Sequence, residues 1–133
     1  MKEPESWKHL PAGFDDRVRI RRTAETEAAG LAGRSGIVHG VTTVSVTGIA
    51  VVGKPKEDTA INVFFDESRE GVWFAPELVE FVDHNPGTTI TISGVAKRWT
   101  RDATGDWVES SRAIPLAEWP ARLRSILRRL FGR

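Results

Sequence analysis

The chain contains no cysteine, which excludes disulfides, cysteine-ligated zinc, iron–sulfur clusters and thiol chemistry, so its core must hold by packing alone. No stretch approaches the roughly 18 apolar residues of a membrane span. The first fourteen residues, MKEPESWKHLPAGF, carry charges and prolines where a secretory signal needs an apolar run, so a cytoplasmic protein is expected. A strong charge of one sign is missing as well. The 19 Lys and Arg against 18 Asp and Glu leave +1, which excludes indiscriminate nucleic-acid binding and an acidic solvating tail. The histidines, His9, His39 and His84, lie in unrelated segments with no pair at ligand spacing, and neither a metal nor a cofactor is expected.

What is present fits a folded protein. Hydrophobic residues make up 40% of the 133, enough for a packed core in one ordinary domain or in a small domain with an appendage. Residues 16–22, DRVRIRR, alternate Val18 and Ile20 with Arg17, Arg19 and Arg21, the period of a strand with one buried face. Residues 23–36 space Gly30, Gly33 and Gly36 by three and read as a loop needing positive φ or close backbone approach, with an Ala-rich helical turn at 24–29 as the alternative. The β-branched runs 37–43 and 44–52 read as strands, with Gly40 and Gly48 marking bends or bulges. Residues 60–66, AINVFFD, place Ile61, Val63 and Phe65 on one face and Asn62 and Phe64 on the other. A strand at 72–75, a single turn at 76–79 and a strand at 80–83 follow. Residues 88–93, 95–101 and 106–110 are three further strand segments, the last two joined by a turn at 102–105 as an added hairpin flanked by Trp99 and Trp107.

The end of the chain changes period. Leu116, Trp119, Leu123, Ile126, Leu127, Leu130 and Phe131 repeat at spacings of three and four, predicting an amphipathic helix whose regular part starts at Pro120. The expected organisation is an irregular segment at 1–14, a small barrel at 15–86, an additional β-hairpin at 87–114 and a basic amphipathic helix at 115–133.

The strand RVRIRR, the turn Gly33-Arg34-Ser35-Gly36-Ile37-Val38 and the closing stretch 61–82, INVFFDESREGVWFAPELVEFV, carry a resemblance. They are similar to SH3-like barrels of the KOW type, a small-barrel superfamily that also includes a small accessory protein of photosystem I and a domain of the nitrile hydratase beta chain. The resemblance covers residues 15–83, about half the chain. It implies a mainly β fold with an SH3-like small barrel, and a role in binding RNA, a protein or a subunit partner. The first loop is longer than in that pattern, residues 44–58 read as an insertion, and 88–133 have no counterpart.

No motif meets the geometric roles of a reaction, so no enzyme is expected. Residues 48–54, GIAVVGK, match the start of a phosphate-binding loop, but Pro55 stands where a hydroxyl and a beginning helix are needed. Asp102, Thr104, Asp106 and Glu109 are spaced like calcium ligands without the required glycine and glutamate, and a charged hairpin turn is the reading. Binding, as a module or accessory subunit, is better supported. Phe64 and Trp73 fall outside the barrel interior and need a cover, either the C-terminal helix, which is favoured, or a partner. A protein partner or a second copy is expected to engage Arg34, His39, Phe64, Trp73 and the helix arginines Arg122, Arg124, Arg128 and Arg129. The competing class is nucleic acid, with Arg17, Arg19, Arg21 and Arg34 neutralising phosphates. No small-molecule substrate is evident, and a membrane surface ranks below both macromolecular partners. Charge is uneven: residues 59–86 hold six acids against Arg69 alone, a balance of −5, and 115–133 hold five arginines against Glu118, a balance of +4. Docking of the helix on the acidic barrel, its own or a second copy's, is therefore the first expectation for it.

Overall fold

The computed structural model describes residues 5–131, with the side chains of 7–126 and 128–130. Residues 1–4 of the expected irregular segment and Gly132 and Arg133 of the expected helix lie outside the described residues. The chain divides between Asn85 and Pro86 into two compact units.

The first unit is a small barrel. Its strands are β1 (Arg17–Ile20), β2 (Ser35–Thr43), β3 (Thr59–Phe65), β4 (Glu70–Phe74) and β5 (Val79–Asp83), in the antiparallel order β4-β3-β2-β1-β5. The order forces curvature. β4 and β5 are opposite edges, about 19 Å apart in a flat sheet with strands about 4.8 Å apart. The only link between them is the 3₁₀ turn Pro76–Leu78 with its flanking residues, which at about 2 Å per residue spans only about 10 Å. The sheet therefore curls until its edges face each other, and the inward residues close into one core. Val18, Ile20, Val38, Ile61, Val63, Phe65, Phe74 and Val79 are all fully buried there, the inner half of each alternating pattern. Phe65 and Phe74 meet edge to face with ring centroids 6.1 Å apart.

Two local features set the outer surface. Val38 pairs with Val63 and Gly40 with Asn62, so His39 is an extra residue in β2, a bulge. The Ala-rich alternative holds in the first loop, where α1 (Ala24–Ala28) is capped by Thr23, whose hydroxyl accepts a hydrogen bond from Thr26 N at 3.2 Å. The strand expected across 44–52 is not formed: Val44–Thr47 is a helical turn, α2, closed by Gly48 in the left-handed conformation. Asp58 holds it from a distance, accepting from Ser45 N through its carboxylate and from Val44 N through its backbone, both at 2.9 Å, and this tertiary anchor overrides the β-branched propensity. Only Val52 retains strand character, in a parallel bridge to Phe74.

The second unit carries β6 (Thr89–Thr91), β7 (Lys97–Arg101) and β8 (Trp107–Ser111), a three-stranded antiparallel sheet in which β7 and β8 form the expected hairpin and β6 adds a third strand. Trp99 lies opposite Glu109 and Trp107 opposite Arg101, so the two tryptophans are diagonal neighbours. A 3₁₀ turn, Leu116–Glu118, leads to α3 (Ala121–Phe131), whose first turn is closed by Pro120 O accepting from Leu123 N and Arg124 N.

This unit has a polar interior. Among the described residues, every apolar residue of the buried core belongs to the barrel, whereas the buried residue of the second unit is Arg101. At the other end of the β7–β8 pair, the Arg112 side chain is only 6% exposed. Arg112 Nη2 donates to Glu118 Oε1 at 2.6 Å and to Ile92 O at 2.8 Å, and Nη1 to Glu118 Oε2 at 3.2 Å. Glu118 Oε1 also accepts from Gly94 N at 2.9 Å.

Two carboxylates of this unit are held below the usual carboxylate range: Asp102 chiefly by the Thr104 hydroxyl, and Glu118 chiefly by the Arg112 guanidinium. A lowered folded value means that the unfolded chain takes up protons first, so the stabilisation is complete above about pH 4 and is lost as pH falls through the folded values. In a Trp7→Phe/Trp73→Phe background, emission of the remaining tryptophans should therefore shift to the red below about pH 4. Emission unchanged down to the unfolding of the whole chain would contradict this.

Candidate binding groove

Of the residues singled out by the alternation, the barrel gathers His39, Phe64 and Trp73 on one outer face. Phe64 pairs with Ile37 and Gly71, and Asn62 with Trp73, which puts Phe64 and Trp73 on the same side of β3 and β4. The bulge brings the His39 ring onto Phe64, stacked at 4.7 Å with an interplanar angle of 4°. Arg69 lies over the same phenylalanine, 5.8 Å from its centroid. Trp73 reaches across to Gly40, where an added Cβ would sit 4.0 Å from its Cη2. Both aromatics are half-buried.

The arginines are placed differently. Arg17 pairs with Asp83 at 3.4 Å, Arg21 with Glu80 at 3.9 Å and Arg34 with Glu67 at 3.6 Å, while Arg19 is exposed. Arg34 also lies over the Phe65 ring. The basic strand β1 is thus answered by acids of its neighbour β5, and three of the four arginines named for phosphate contact already have a carboxylate. Arg122, Arg128 and Arg129 are exposed and Arg124 half-buried on α3.

A further recess on the barrel lies elsewhere, in residues the sequence pattern did not single out. It is an open groove of about 570 Å³ walled by Trp7, Phe14, Gly40, Phe81, His84 and Asp16. The N-terminal arm forms one bank. It starts with the 3₁₀ turn Glu5–His9, anchors Ala12 in the core, and turns at Asp15, whose φ of 70° redirects the chain into β1. Asp15 N donates to Val38 O at 2.8 Å and Val38 N to Asp16 O at 2.9 Å, tying the arm to β2. Phe14 and Phe81 remain 55% and 40% exposed, and Trp7 Nε1 is buried and makes no hydrogen bond among the described residues.

Asp16 organises the floor. Its Oδ2 accepts from Gly13 N at 2.7 Å, and its Oδ1 lies 2.8 Å from His84 Nδ1. A carboxylate only accepts, so Nδ1 carries the proton and Nε2 is the His84 atom left to accept from a ligand. The Phe81 ring sits 4.8 Å from the imidazole and fixes it from the side. An Asp-oriented histidine is the geometry of a general base, yet among the described residues no hydroxyl or thiol side chain lines the groove to serve as its nucleophile. Asp16→Ala should cost about 1–3 kcal/mol in urea denaturation by leaving Gly13 N–H and the imidazole without their acceptor. A loss of under about 0.5 kcal/mol would show that the pair does not organise the floor.

The one sequence signal for this site is the run Phe14-Asp15-Asp16 before β1, since Asp is among the residues that tolerate the left-handed turn an arm needs to fold back. A scan against protein-family models gives no match to this chain, and searches of curated proteins and of solved structures give none.

Proposed function

We propose that the protein is a non-catalytic binding module whose barrel receives an extended segment of a partner protein in the groove between the N-terminal arm and β5. The observation that carries this reading is the groove itself: three aromatic walls, Trp7, Phe14 and Phe81, over a floor with one oriented imidazole. Rigid aromatic grooves of this kind bind extended peptides by stacking on preformed backbone and spending few polar contacts on register. His84 Nε2 supplies an acceptor for a peptide N–H. The resemblance to SH3-like barrels adds to this reading. The nucleic-acid reading is weaker, because the carboxylates of Asp83, Glu80 and Glu67 compete with phosphate for Arg17, Arg21 and Arg34.

A photo-crosslinking phenylalanine analogue placed at Phe81 should capture a discrete protein that the same analogue at Val46, on an exposed turn outside the groove, does not. Phe14→Ala and Phe81→Ala should each lower that capture roughly 10- to 30-fold, the effect of losing one aromatic anchor, with the circular dichroism of the barrel unchanged. Equal capture from positions 81 and 46, or capture indifferent to both alanine variants, would end this reading.

A further inference from the structure

The C-terminal unit buries arginine side chains while several of its large apolar side chains stand in solvent. Arg101 and Arg112 occupy its interior, while Ile92, Val108 and Leu116 are all more than half exposed. On α3, Leu123, Ile126 and Leu130 are exposed as well, at 40%, 44% and 68%. At roughly 100° per residue these three fall within one narrow arc, with Arg122 and Arg129 beside one border and Arg124 and Arg128 beyond the other. The helix is thus an apolar strip with Arg122 and Arg129 along one edge and Arg124 and Arg128 toward the opposite face.

Among the described residues, no acid of the unit pairs with those arginines. Residues 86–133 hold nine Lys and Arg against four Asp and Glu, a balance of +5, and all four acids are engaged elsewhere. Glu118 holds Arg112, Glu109 holds Lys97, Asp102 accepts from the backbone and hydroxyl of its own turn, and Asp106 accepts from Thr104. Of the acids in the barrel, Glu67, Glu80 and Asp83 are held by arginines of the same barrel.

From this arrangement we infer that α3 is a docking surface for an anionic lipid bilayer, lying in the plane of the interface. The inference is independent of the aromatic groove. A nucleic-acid backbone or an acidic protein patch would satisfy the arginines and leave the leucine and isoleucine side chains in water. An anionic interface takes both at once: the strip enters the acyl boundary and the flanking arginines extend their long stems to the headgroups. With 11 residues, α3 is about 16 Å long, half the hydrocarbon thickness, so it lies on the bilayer and does not cross it.

Flotation of the full chain with vesicles decides the matter. The protein should float with vesicles of roughly seven parts phosphatidylcholine to three of phosphatidylserine and stay behind with phosphatidylcholine alone. Arg122→Gln/Arg129→Gln should lower partitioning about 30-fold, the factor for two cationic side chains at an anionic surface. Leu123→Gln/Ile126→Gln should abolish flotation although every charge is kept, and Gln preserves helix propensity, so circular dichroism should match the parent. No flotation with the anionic vesicles overturns the inference. Sensitivity to the arginine pair without sensitivity to the apolar pair also overturns it, as does retention of an RNA or duplex DNA probe, or self-association, in place of flotation.

Discussion

Gly36→Ala should leave the barrel destabilised by about 3 kcal/mol or more, enough to unfold a marginal domain of this size. Gly36 sits in β2 opposite Val18 and is buried. A Cβ there would lie 2.6 Å from Phe64 O, 2.6 Å from Val63 Cγ1 and 3.2 Å from Phe65 Cδ1. The first of these is backbone of β3 and cannot retreat without breaking the β2–β3 ladder. The second and third belong to the fully buried, close-packed core, where moving either side chain displaces its neighbours. Gly40→Ala, four residues along the same strand, is the control: its nearest new neighbour is Trp73 Cη2 at 4.0 Å, an ordinary contact, and stability should stay within about 0.5 kcal/mol. Urea denaturation of the two variants reads the difference directly. Gly36→Ala within about 1 kcal/mol of the parent would mean that the sheet yields where the packing says it cannot.

Gly36 also marks the limit of what spacing reveals. The spacing of Gly30, Gly33 and Gly36 implies a left-handed turn or a close approach without saying which, and the structure uses both: φ is 73° and 75° at the first two, and the third is there for proximity to β3. The barrel strands were legible because each buries one face, so that alternation survives in Val18/Ile20 and Ile61/Val63/Phe65. Residues 44–47 were not, because a β-branched run carries no trace of the Asp58 contacts that curl it into a helical turn. In the second sheet, strand segments were legible and register was not. The turn from Asp102 to Asp106, fixed by the Asp102 carboxylate, sets Arg101 against Trp107 and so decides which residues face each other.

The same reason hid half of the candidate site. Phe64 and Trp73 could be placed on the outer face from period alone. Asp16 and His84 lie 68 positions apart and meet because β1 pairs with β5, a long-range pairing that no local window contains. Charge behaves likewise. Summed along the chain, residues 59–86 look like one acidic surface, but sheet register sets three of their six acids, Asp83, Glu80 and Glu67, against Arg17, Arg21 and Arg34. The acidic half of the dipole is thus partly answered inside the barrel, while the C-terminal unit keeps its balance of +5.

That unit depends on Arg112 where an ordinary domain would depend on a hydrophobic core. Arg112→Met should abolish its fixed tertiary structure, seen as red-shifted Trp99, Trp107 and Trp119 emission in a Trp7→Phe/Trp73→Phe background and as rapid proteolysis within residues 86–131. The substitution keeps the length of the side chain but removes the donors that join Ile92 O on the sheet side to Glu118 in the turn before α3. Glu118 is left half-buried with only Gly94 N–H as a partner, and a carboxylate deprived of its cation costs more than the pair contributed. Arg112→Lys should restore little, because one ammonium cannot hold two carboxylate oxygens and a carbonyl in the planar fork that a guanidinium provides. Arg112→Met/Glu118→Leu should recover much of the structure, since removing both charges removes the stranded one and sets apolar side chains beside Ile114, Trp119 and Leu123. If the double variant is no better than the single one, Arg112 acts through its carbonyl contact to the sheet rather than through Glu118. If the single variant resists protease like the parent, the polar knot does not hold the unit together.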